Sequence, residues 1–167
     1  DQITLVRQYQ GAAGSSVYQD STTTYDGYGR LRTGRAPQQQ VDPANGASTD
    51  HTTMDYNDDD TVHKVTDARG ASQTFTYNAR RLVRAVDFTA PPGSGLQTPT
   101  SIGMDYDSAG NRLWMTDGMG RTDYTFDTQS RLISEVRHIN GLENAALGGN
   151  YPLTYQYNLS GQLKTIT

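Results

Sequence analysis

Short runs of Thr, Tyr, Val and Leu alternate with polar clusters along most of the chain, and within the runs polar and apolar positions alternate with period two. Leu113 and Met115 fall on one face of a predicted strand, with Arg112, Trp114 and Thr116 on the other. Thr122, Tyr124 and Phe126 oppose Arg121, Asp123 and Thr125 in the same way. Neither face is wholly apolar. This mixed alternation predicts one sheet with modest burial on each face, not a thick two-layer core.

The polar clusters carry a specific turn chemistry. In Asp107-Ser108-Ala109-Gly110 the aspartate can accept the amide two residues on, and the glycine can take positive φ. Such a four-residue stretch suits a type I turn followed by a G1 bulge, a common hairpin loop. Asp26 to Gly29, Asp67 to Gly70 and Asp117 to Gly120 read the same way, and Asp127 to Ser130 is a variant. Asp60 and Ser130 stand in the glycine slot of their turns, and Asp is among the residues that tolerate it. Arg81 fits that slot poorly, so the turn after Tyr77 is expected to be built differently. Hairpins are therefore predicted at 57–60, 67–70, 107–110, 117–120 and 127–130, with strands of about six residues between turns.

An aromatic residue precedes Asp or Asn at the head of six copies of this phrase: Tyr25, Tyr56, Tyr77, Tyr106, Phe126 and Tyr157. Their successive spacings are 31, 21, 29, 20 and 31 residues, so the unit is a double repeat of roughly 50 residues. The long intervals hold inserts at Ala36 to Thr53, Phe88 to Gly103 and Ile139 to Pro152, rich in Pro, Gly and Asn and read as loops. Periodic insertion predicts all three loops on one side of the sheet. Aromatic residues at equivalent positions are expected to stack across strands, each pair contributing about 0.2–1 kcal/mol. The fold expected is all-β, an antiparallel meander of repeated hairpins in a curved single layer, with residues 1–167 as one repeat segment.

The phrases YDGYGRL, YDSAGNRL, FDTQSRL and YNLSGQL, with TDARG and TDGMGRT between them, resemble the tyrosine-aspartate (YD) repeats of the rearrangement-hotspot (Rhs) family. Relatives in that family include the cocoon component of insecticidal toxin complexes and the shell of teneurins. The resemblance runs from about Tyr25 to Thr167. It implies a segment of a hollow spiral shell that encloses a C-terminal toxin or effector domain of a secreted or cell-surface polypeptide. The partners it implies are adjoining repeats and that payload domain. The Pro- and Asp-rich self-cleavage motif of the family has no counterpart here, since Asp42-Pro43 stands alone. Together with the start at Asp1, this suggests a middle stretch of a longer shell chain of bacterial type, without plug or payload.

Composition narrows the alternatives. Only 34% of residues are hydrophobic, mean hydropathy is −0.74, and yet eleven tyrosines and a net charge of −4 argue against disorder. A pI near 5.2 argues against a nucleic-acid partner, which favours a basic stripe. No apolar run approaches the roughly 18 residues of a membrane span. There is no cysteine for disulfides or thiolate metal sites.

Candidate chemistry is sparse. The acidic run Asn57 to Thr61 fails the EF-hand pattern, because positions 6 and 12 hold Val62 and Ala68. His51, His63 and His138 lack metal-ligand spacing, no G-x-S-x-G elbow is present, and only Glu135 and Glu143 are glutamates. Most aspartates are read as turn residues, and Asp105 and Asp123 are not obviously so. No catalytic residue, metal or cofactor is expected. Tyr18, Tyr28, Trp114 and Tyr151 are read as exposed aromatics, Trp114 and Tyr151 being the candidate platform for sugar rings. Two readings follow: a structural shell segment, or an adhesin or carbohydrate-binding module built from the same repeats. Uncharged terminal strands, residues 3–9 and 152–157, predict edge-to-edge self-association of the isolated piece.

Overall fold

The computed structural model describes residues 2–142 and 148–167. Glu143 and part of the third insert lie outside the described residues. No helix occurs among the described residues. Thirteen strands follow one another in sequence order in one antiparallel meander, and the order is linear from β1 to β13. The strands are β1 (Leu5–Tyr9), β2 (Tyr18–Tyr25), β3 (Leu31–Arg35), β4 (Thr52–Tyr56), β5 (Val62–Thr66), β6 (Ser72–Tyr77), β7 (Val83–Thr89), β8 (Ile102–Tyr106), β9 (Arg112–Asp117), β10 (Gly120–Phe126), β11 (Leu132–Ile139), β12 (Asn150–Tyr157) and β13 (Leu163–Ile166).

Two compact units divide the chain. One holds Asp1–Phe75 with Phe88–Pro99, the other Thr76–Asp87 with Thr100–Thr167. In the first unit the aromatic–Asx turns at 26–29 and 57–60 close one edge. The insert between β3 and β4 and the turn 67–70 lie at the opposite edge, where Asn45 Nδ2 donates to the Arg69 carbonyl at 2.7 Å and the Thr49 amide to Ala68 at 2.7 Å. Residues 90–99 reach that same edge, with Pro92 beside Gly70. In the second unit the turns at 78–81, 107–110, 127–130 and 158–161 share one edge. The loop from Asn140 joins the β9–β10 hairpin at the other, the Asn140 amide donating to Met119 at 2.9 Å. Within each unit, then, inserts sit opposite the aromatic–Asx turns, because a meander puts alternate connections on alternate edges.

Burial is as thin as the composition predicts. Ala68 and Val86, each 8% exposed, are the hydrophobic residues that count as buried, and among the described residues no side chain falls below 2%. Ser48, Ser72 and Thr122 are buried polar residues. Stability must come from ladder hydrogen bonds and many half-buried pairs, each a small contribution.

A bulge accompanies five of the aromatic–Asx turns. Tyr25 pairs with Leu31 while Thr24 pairs with Thr33, and the same slip occurs at Tyr56, Tyr106, Phe126 and Tyr157. The bulge overturns one face assignment. Arg112 pairs with Tyr106, and its guanidinium lies 3.8 Å from Met104 Sδ and 3.7 Å from Met115 Sδ, so it does not share the face of Trp114. An extra residue in one strand resets alternation, which a period-two count cannot see.

Candidate functional site

The recurring feature of this chain is the aromatic–Asx turn. At each one the fourth residue's amide donates to the carbonyl of the Asx residue: Gly29 to Asp26, Asp60 to Asn57, Arg81 to Asn78, Gly110 to Asp107, Ser130 to Asp127 and Gly161 to Asn158. The Asx amide in turn donates to the residue four places on, which defines a type I turn with a G1 bulge. The fourth residue has positive φ throughout, including Asp60 (68°), Arg81 (62°) and Ser130 (60°). The turn after Tyr77 is thus built like the others, contrary to expectation. The hydrogen bonds of Asn78, whose Oδ1 accepts the Arg80 and Leu82 amides at 2.9 and 3.1 Å, hold Arg81 in a conformation it would not choose alone.

The carboxylates act as caps. Asp26 Oδ1 accepts the Tyr28 and Arg30 amides, both at 2.9 Å, and its Oδ2 accepts Arg30 Nε at 2.7 Å. Asp127 repeats the set with Gln129, Arg131 and the Arg131 guanidinium. Asp67 caps Arg69 and Ala71, and Asp107 caps Asn111 through both backbone and side chain. At Asp127 the Arg131 amide leads in holding the carboxyl below its usual range; at Asp107 the Asn111 side chain does. At Asp26 and Asp67 desolvation opposes ionisation, and the hydrogen bonds from Arg30 and Arg69 outweigh it.

Asp117 to Gly120 departs from this scheme. β9 runs to Asp117 and β10 starts at Gly120, so Gly118 and Met119 alone form the loop. Asp117 Oδ1 accepts the Met119 and Gly120 amides and Arg137 Nη2 at 2.7 Å, and Arg137 is the leading cause of its lowered pKa. Gly120 has φ 145°, and a Cβ there would lie 2.0 Å from the His138 carbonyl oxygen.

The aromatic residues tie one turn to the next. Tyr25, Tyr56, Tyr106 and Tyr157 donate their hydroxyls to the carbonyls of Ile3, Leu31, Val83 and Leu132, at 3.0, 2.7, 2.9 and 2.8 Å. Leu31, Val83 and Leu132 each open the strand before the tyrosine's own. Phe126, which follows a short interval, has no hydroxyl. Tyr77 ends β6 and is half-buried.

Arginines after the turns complete the edge, and no single spacing in the sequence singles them out. Arg30 lies 4.5 Å over the Tyr56 ring and pairs with Asp60 at 2.7 Å, and Arg131 lies 4.7 Å over Tyr157. Arg80 donates to the carbonyls of Asp107 and Ser108, and Asn111 Nδ2 to Ser130 Oγ at 3.1 Å. The signal available was the Arg, Asn or Gln that follows the positive-φ residue in several copies.

The proposed ligand platform is not assembled as one surface. Cross-strand register puts Trp114, Asp123, Val136 and Pro152 in one row, which sends Tyr151 to the opposite face. Trp114 is half-buried, its ring against Gly103, with the Arg121 guanidinium 4.9 Å over it. Asp105 and Asp123 flank Trp114 in register. Asp123 is engaged by Arg121 at 2.6 Å and by His138 Nε2 at 2.9 Å. Tyr28 is 86% exposed at its turn tip, and Arg7 lies 3.8 Å over Tyr18. Among the described residues no three His, Asp or Glu side chains converge as a metal site.

No family model matches the chain, and no curated protein matches it in sequence. Solved structures do. It is similar to the crystal structure of TcdB2-TccC3-TEV, with 17% identity and a TM-score of 0.56. TcdB2-TccC3 without its hypervariable C-terminal region gives 18% and 0.58. The Photorhabdus luminescens Tc holotoxin pore gives 16% and 0.57. Each match covers 91% of this chain and 9% of the other. The likeness is one of fold, and this chain spans about 9% of the length of the chains it matches.

Proposed function

We propose that this chain is a structural wall segment of an Rhs-type YD-repeat shell, one that encloses a payload domain belonging to the same secreted or cell-surface polypeptide. The observation that carries this reading is the match of nearly the whole chain to a small stretch of the TcdB2-TccC3 chains. The turn edge supports it. Its titratable groups are consumed in capping and in turn-to-turn bonds, which is the economy of a scaffold. Its chemistry is mechanical: each long interval is closed by a tyrosine hydroxyl on the preceding hairpin. We propose no catalytic role and no cofactor.

The test uses the full parent polypeptide with whatever follows residue 167. Its C-terminal region should resist protease as long as the wall is intact, and become sensitive in a Gly120→Val variant that breaches it. Equal sensitivity in both would overturn the reading. The carbohydrate-binding alternative makes the opposite claim, glycan binding that is lost in Trp114→Ala. The Arg121 guanidinium over that ring speaks against it.

A further inference from the structure

Two asparagines in this chain precede glycine, Asn45-Gly46 and Asn140-Gly141. In such a pair the glycine nitrogen, unhindered by a side chain, can attack the asparagine Cγ. The new N–C bond closes a succinimide, and the amide nitrogen leaves as ammonia. Water then opens the ring to aspartate or to isoaspartate, in which the backbone runs through the side chain. Sequence alone treats the two pairs alike.

The fold does not. Both ends of the Asn45 carboxamide are occupied: Nδ2 donates to the Arg69 carbonyl at 2.7 Å, and Oδ1 accepts the Ala47 amide at 3.1 Å. The Asn45 backbone is also engaged, its amide with Asp42 and its carbonyl with Ser48. Turning Cγ toward the Gly46 nitrogen breaks both side-chain bonds and unlatches the insert from the 67–70 turn. Asn140 is exposed, and its side chain makes no hydrogen bond among the described residues. Its amide alone is held, by Met119.

We infer that Asn140 is a site of spontaneous deamidation in the folded chain, and that Asn45 is protected because its carboxamide is the latch of its loop. The product at 140 places a carboxylate, or an added backbone methylene, beside the bond that seats this loop on the β9–β10 hairpin. Modification at 140 therefore loosens that loop. At 45 it would replace the Nδ2 donor with an oxygen facing the Arg69 carbonyl, so the same chemistry there would repel instead of latch.

Incubation of the 167-residue chain at mildly alkaline pH, followed by peptide mass spectrometry, tests this. The Asn140 peptide should convert at least about tenfold faster than the Asn45 peptide, as expected when two hydrogen bonds must open before reaction. In concentrated urea the two rates should converge. Asn140→Gln should abolish the fast conversion and leave the slow one. Equal rates in the folded chain, faster conversion at Asn45, or a difference that persists in urea would each overturn the inference.

Discussion

A Cβ at Gly120 would sit 2.0 Å from the His138 oxygen, whereas one at Gly110, φ 93°, would meet open space. The two glycines therefore predict different penalties. Gly110→Ala carries only the left-handed backbone cost, about 1 kcal/mol. Gly120→Ala must also displace a neighbouring strand, and about 3 kcal/mol or more is expected, as for other substitutions that force a steric clash. Urea denaturation checks both; equal losses would contradict the close approach. The turn carboxylates give a second expectation. Asp107, Asp117 and Asp127 ionise more readily folded than unfolded. Their contribution is complete above the unfolded value, about pH 4, and is lost as pH falls through the lower folded values. Asn performs the same cap at Asn78 and Asn158. Asp127→Asn should therefore leave the turn formed and flatten the acid limb of stability, measured by denaturation at a series of pH values. An unchanged acid limb would refute it.

The hairpin of β1 and β2 is the element least supported by its neighbours. β2 pairs with β1 from Tyr18 to Thr22 but with β3 only from Thr22 to Tyr25. Beyond Arg35 the chain turns away at Ala36 and Pro37, where proline offers no amide to a ladder. Residues 6–21 thus form a two-stranded ribbon, and such ribbons are marginal alone. Amide exchange should be fastest there and slowest in β9 to β11; uniform protection would contradict this. Elements of this kind were readable from sequence to different degrees. The Asp and Gly of each turn, the hairpins and the aromatic period were legible, since each rests on local backbone preference. The Arg81 turn was not, because its positive φ is imposed by the surrounding hydrogen bonds and not chosen by the residue. Nor was the two-residue loop at Gly118 and Met119, since Asp-x-x-Gly fits both loop lengths and the neighbouring strand decides. The separation of Trp114 from Tyr151 depends on register across three strands, which no single segment encodes.

For the whole molecule, the linear strand order leaves β1 and β13 at its two ends, and every residue of both strands is exposed. Ile3, Leu5 and Val6 are 67%, 50% and 48% exposed, and the one charge in β1, Arg7, is neutralised by Asp20 at 2.6 Å. An edge of that character recruits other strands. As a free polypeptide the chain should associate in a concentration-dependent way, and Leu5→Lys should reduce that association. A clean monomer of 18.3 kDa at high concentration in light scattering would count against it.

The tyrosine hydroxyls give the array a direction. Each one belongs to the later hairpin and each carbonyl it meets to the earlier. Removing hairpins from the front strands a hydroxyl, which can rotate toward water with little loss. Removing them from the back strands a carbonyl fixed in a ladder and, at Arg131, a guanidinium that has lost its aromatic ring. Shortening this chain is therefore asymmetric: truncation from the C-terminal side should leave the more damaged remainder.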